Sequence, residues 1–130
     1  MLISWKNYVG LDATRYAHDF KTSRIDLDTL ARGIQKCCWS AMVFRNKHRA
    51  EANFIQSDLC VLDFDDGETT LSDAVENFFP DMQHIIATTK SHQLPKGDKP
   101  ACDRFRVIIP WETTITDLTL LRHNLILLVN

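Results

Sequence analysis

The sequence predicts an α+β fold, a mixed or antiparallel sheet with flanking helices. Two observations lead there. The elements read in the order strand, helix, strand, loop, strand, helix, which suits helices packed on a sheet. The chain has 130 residues, 45% hydrophobic and 25% charged, enough to bury one ordinary core. No Pro- or Gly-rich linker divides it, so residues 1–130 read as a single domain.

The start, "MLISWKNYVGLDATRYAHDF", carries early charges and no long apolar core, so it does not read as a secretory signal. "IDLDTLARGIQKCC" spaces Leu27, Leu30, Ala31, Ile34 and Cys38 as one helical face, with Asp26 as its N-cap. "SAMVF" predicts a short strand. A polar turn with Arg45, Lys47 and Arg49 follows, and "FIQSDLCVLDFD" completes a hairpin. "TTLSDAVENFF" predicts a short helix, with Thr70 and Asp73 paired as in a capping box. "HIIATT" is a buried strand over Ile85–Thr88. "KSHQLPKGDKPACD" is a long loop, and "RFRVIIP" is a strand that Pro110 ends. A last helix follows, with Thr116 as its N-cap. It runs into the apolar "LILLV", which predicts that the domain continues beyond Asn130.

Composition excludes some functions. The net charge of −2 gives no global basic field for nucleic acid. No run of 18 apolar residues predicts a membrane-spanning helix. Cys37, Cys38, Cys60 and Cys102 form no C-x-x-C, and the first two are adjacent, which suits neither a zinc site nor a disulfide. Reduced cysteines in a cytoplasmic protein are the reading, with Cys60 in the core. Phe78, Phe79, Trp39 and Trp111 suit core or rim better than a base-stacking platform.

Three stretches carry chemistry. "LCVLDFDDG" ends an apolar strand in Asp63, Asp65 and Asp66. Alternation puts Asp63 and Asp65 on one face, about 6–7 Å apart, and Phe64 on the other. Two such carboxylates can converge on Mg²⁺ or Mn²⁺. They can equally be turn formers before Gly67, with Asp66 in the turn. "TTKSHQ" supplies Lys90, Ser91 and His92 at a strand end, a cation, a hydroxyl and an imidazole fit for phosphate. The plain alternative is loop solvation. "DRFRVIIP" sets Arg104 and Arg106 on one strand face, for a triphosphate or for ion pairs with Asp63 and Asp65. From Lys90 to Arg106 five basic residues face only two acidic ones, a local excess that would hold a polyanion.

Together these stretches resemble the primase-polymerase domains of phage and plasmid replication proteins, in the archaeo-eukaryotic primase superfamily. The hhhDhD motif matches "CVLDFD", the second motif matches "TTKSHQ", and "DRFRVIIP" matches the strand that follows. The resemblance covers about Phe54 to Thr116, and more loosely the helix from Leu27 to Cys38. It implies an RRM-like catalytic core, here its N-terminal part, in a DNA replication protein of the bacterial cytoplasm.

It implies template-directed nucleotidyl transfer with Asp63 and Asp65 as Mg²⁺ or Mn²⁺ ligands in a two-metal mechanism. His92, with Lys90, Ser91, Arg104 and Arg106, would contact the phosphates. The substrates would be nucleoside triphosphates and a single-stranded DNA template, with a fused or separate helicase as partner. The second motif departs from the usual S-x-H, because Ser91 directly precedes His92. The family's third acidic residue is not found; it lies beyond Asn130, or Asp103 or Glu112 replaces it.

Two rivals stand beside this. One is a haloacid-dehalogenase-like phosphatase with "DFDDGET" as its first motif and Thr88 or Thr89 in its second. An aspartyl-phosphate would mark it. The other is a non-catalytic replication-initiator module that binds DNA.

Overall fold

The computed structural model describes residues 1–7, 17–77 and 82–129, with side chains up to His123. The fold is α+β, with two antiparallel sheets and few helices. It divides into two compact units. One comprises Met1–Cys60 with Pro110–Asn130, the other Val61–Ile109. The boundary runs through strands and not through a linker, which is why composition gave no sign of it.

In the first unit, β1 (Leu2–Lys6) is the centre of a three-stranded sheet, between β2 (Lys21–Arg24) and β3 (Cys38–Ser40). Both pairings are antiparallel. Ile3 and Ser4 are fully buried on β1. Neither β1 nor β2 is anticipated from the sequence. β2 reads "KTSR" and is largely exposed, so it has no apolar alternation to betray it.

Helix α1 (Leu27–Gly33) is capped as expected: the Asp26 carboxylate accepts the Thr29 N–H at 2.8 Å. It buries Leu30 and ends at Gly33, well short of Cys38. "SAMVF" is not one strand. β3 and β4 (Met42–Phe44) belong to different sheets and are separated at Ala41. β4 pairs with the start of β5 (Phe54–Phe64), the expected hairpin. Phe54, Ile115 and Leu121 form a buried cluster, against which Met42, Trp111 and Leu118 pack. Trp111 is therefore core rim, and Trp39 is half-buried on β3. Phe78 and Phe79 lie outside the described residues.

The larger sheet has the order β4-β5-β7-β6, with β6 at Ile85–Thr88 and β7 at Phe105–Ile115. Pro110 does not end β7. The register of β6 along β7 stops at Ile108, so the N–H that Pro110 lacks has no β6 carbonyl to serve. α2 spans Leu71–Asn77, between β5 and β6. Its first N–H groups are met by Thr70 Oγ1, which accepts from Asp73, and by Asp103, which accepts from Leu71. Helix α3 (Leu118–Val129) is capped by Asp117 and not by Thr116. The Asp117 carboxylate accepts from Thr119 N–H at 2.8 Å. No helix among the described residues is long and apolar enough to cross a membrane.

Candidate functional site

Apart from Glu112, the polar residues singled out for chemistry fall in the Val61–Ile109 unit, at the end of β5, the start of β7 and the loop between β6 and β7. β5 delivers Asp63 exposed and Phe64 half-buried, its ring stacked on Phe105 at 4.8 Å between centroids. That stack fixes the strand end from which Asp65 leaves. Asp66 is in the turn: its carboxylate accepts the Glu68 N–H at 2.9 Å.

The turn needs its glycine. Gly67 has φ of +80°, and a Cβ there would lie 2.8 Å from Cys102 Cβ. Gly67→Ala is expected to cost about 2 kcal/mol, from left-handed backbone strain plus the forced shift of Cys102. A urea melt with an unchanged m value checks it.

Both carboxylates have basic partners. Asp63 accepts from Arg106 Nε at 2.7 Å, and both side chains are about half exposed. Asp65 accepts from Lys96 Nζ at 3.0 Å and lies 3.2 Å from Arg104 Nε. The ion pairing weighed from sequence is thus present in the structure. The bond from Lys96, reinforced by the charges of Lys96, Arg104 and Lys99, holds the Asp65 carboxyl below the usual carboxylate range.

The folded chain therefore keeps Asp65 ionised at a pH where the unfolded chain protonates it. These pairs contribute their stability above the unfolded value of about 3.9, and it is lost as pH falls through the lower folded value. Asp26, lowered by its bonds from Thr29, acts with the same sign. Urea melts between about pH 6 and pH 3 are expected to show stability falling below about pH 4. The fall should be shallower in Asp65→Asn.

Arg104 departs most from expectation. Alternation from the strand paired it with Arg106 on one open face. It instead lies just before β7 and is fully buried, whereas Arg106 is exposed. Its guanidinium donates to the backbone carbonyls of Asp65 (3.3 Å), Ser91 (2.9 Å), Leu94 and Pro100 (3.0 Å). It is a clamp on the loop: four of its five N–H groups serve these carbonyls, and the side chain is fully buried. Its backbone N–H donates to His92 Nδ1 at 3.1 Å, which leaves Nε2 as the protonated nitrogen of the neutral ring.

The other loop residues are open. Lys90 is exposed, and its ammonium has no partner among the described residues. Ser91 and His92 are half-buried in a turn, with the His92 N–H bonded to Thr89 O at 3.1 Å. Gln93 was missed by sequence reasoning. It adopts φ of 58°, with its N–H on Cys102 O and its amide on Asp103. Such strain in a non-glycine residue clusters at functional loops.

No three His, Cys, Asp or Glu side chains gather into a metal-ligating group among the described residues. Asp103 is occupied with Leu71 and Gln93, and Glu112 lies in the other unit. The available donors are two carboxylates. These are hard oxygen ligands of the kind Mg²⁺ takes in ones or twos when a substrate's phosphates supply the rest. All four cysteines are thiols, and burial pushes Cys60 up to about 11, as suits an inert core residue. Compared with protein-family models, curated proteins and solved structures, the chain matches none.

Proposed function

We propose that the chain carries a nucleotidyl-transfer site of the primase-polymerase kind, acting on nucleoside triphosphates along a single-stranded DNA template. The observation that carries this reading is that both strand-end carboxylates are paired with arginines at the start of the strand after the loop. Asp63 meets Arg106, and Asp65 meets Arg104, which also bonds Ser91 and His92 of the loop that holds Lys90. Acids fit for a divalent cation and donors fit for phosphates stand in one compact unit.

The chain order supports an RRM-like core. β5, α2, β6 and β7 run in sequence, β7 lies between β5 and β6, and α3 follows. That is a split β-α-β unit with its next strand inserted.

The residues divide by magnitude. The Asp63–Arg106 pair is exposed, and such pairs contribute about 0–1 kcal/mol. It exchanges partners cheaply: Asp63 turns to a cation and Arg106 to a phosphate. Lys96 can leave Asp65 on the same terms. His92 donates from Nε2, and Lys90 adds a charge. Arg104 stays put and holds the loop. A bound Mg²⁺ or Mn²⁺ would supply charge neutralisation at the reacting phosphate and activation of the attacking hydroxyl.

One observation favours a non-catalytic DNA-binding module instead: both Asp63 and Asp65 already have basic partners. Calorimetry with Mn²⁺ and a nucleoside triphosphate separates the two. The nucleotidyl-transfer reading expects saturable nucleotide binding that requires Mn²⁺ and weakens at least tenfold in Asp63→Asn. Absence of any Mn²⁺-dependent component of nucleotide binding supports the non-catalytic module.

A further inference from the structure

The first unit holds a cavity of about 360 Å³, remote in sequence from Asp63 and Asp65 and lined by none of the residues of the proposed nucleotidyl-transfer site. Its volume sits at the small-ligand end of the range for binding pockets.

One wall is aromatic. Trp5, on β1, is half-buried, and its Nε1–H donates to Ser23 Oγ at 2.9 Å, which fixes the indole. Gly33, at the end of α1, lies against the ring: a Cβ there would come within 3.1 Å of Cζ3. The indole is thus held by a hydroxyl at Nε1 and by a helix end beside its six-membered ring. It is preorganised for a flat partner.

The rim is basic. Lys6, Lys21 and Lys36 line the cavity, with Asp19 as the one carboxylate among the described residues. Lys6 donates to His18 O at 3.1 Å and lies 3.8 Å from Asp19, so these two charges largely offset each other. Lys21 and Lys36 are exposed, and their ammonium groups have no partner among the described residues. Two uncompensated cations beside an apolar ring, on a chain of net charge −2, single out an anion with an aromatic end. Cys37 also lines the cavity. Burial raises its thiol and it bonds Gly33 O, so it is wall and not nucleophile.

We propose that this cavity binds one nucleoside phosphate, the base against Trp5 and the phosphates on Lys21 and Lys36. Bases stack on tryptophan whatever their identity, because each has a π-face. Ammonium groups serve as point charges for phosphate. The inference stands on residues separate from the nucleotidyl-transfer site and holds whether or not that site is active.

The test is a titration with adenosine diphosphate, without divalent cation, followed by tryptophan fluorescence and calorimetry. The host is Asp63→Asn, so that the other site is weakened. Saturable quenching is expected, with calorimetric binding at about millimolar or tighter. The double variant Lys21→Ala, Lys36→Ala should weaken binding at least tenfold, while its melting curve stays unchanged because both residues are exposed. Trp5→Phe should remove the quench that the other tryptophans do not report. Adenosine and ribose 5-phosphate should each bind more weakly than the diphosphate. No saturation by about 10 mM overturns the proposal. So does binding indifferent to the two lysines, or binding of an oligonucleotide with none of the mononucleotide.

Discussion

Replacing Arg104 by methionine is expected to destabilise the protein by about 3 kcal/mol and to free the loop from Ser91 to Pro100. Arg104 is fully buried, and its guanidinium serves four backbone carbonyls and the Asp65 carboxylate. Methionine fills similar space but donates nothing. The carbonyls then lose their partners, and Asp65 loses one of its cations. Lysine at 104 should recover only a minority of the loss, because one ammonium cannot span the fork of a guanidinium. Urea melts give the energy. Amide exchange gives the location: Leu94, Lys96 and Lys99, whose N–H groups bond within the loop, should lose protection first. A variant as stable as the wild type would mean that the loop holds itself.

Asp63→Asn and Asp65→Asn are expected to reduce any nucleotidyl transfer by about a hundredfold or more, each alone, through loss of a hard oxygen ligand. Their effects on stability should differ. Asp63 has one exposed partner, so its loss changes stability by less than about 1 kcal/mol. Asp65 has Lys96 and buried Arg104, so its loss also loosens the loop. Comparing nucleotide incorporation with melting separates the catalytic contribution from the structural one. Equal activity in Asp63→Asn and wild type would remove Asp63 from the site.

Strands β5, β6 and β7, the hairpin and the acidic strand end were legible because apolar runs and turn residues are local signals. Asp26 was legible as a cap for the same reason. Arg104 was not. Its burial depends on carbonyls of a loop up to thirteen residues earlier, among them Ser91, and alternation ceases to hold one residue before β7 starts. β2 was hidden by its polar sequence, and Pro110 misled because its effect depends on where β6 stops. The site's acids and bases were legible as types and in their pairing, whereas their division into clamp and exchangeable partners was a matter of burial. That division is what the sequence could not carry.

The most direct measurement is anomalous scattering from crystals soaked with Mn²⁺ and a nucleoside triphosphate. The expected result is manganese between Asp63 and Asp65, with phosphate oxygens towards His92 Nε2 and Arg106, and Arg104 still on its carbonyls. Crystals in which Asp63 remains on Arg106 and Asp65 on Lys96 at saturating Mn²⁺ and nucleotide, with no anomalous peak beside either carboxylate, would contradict it.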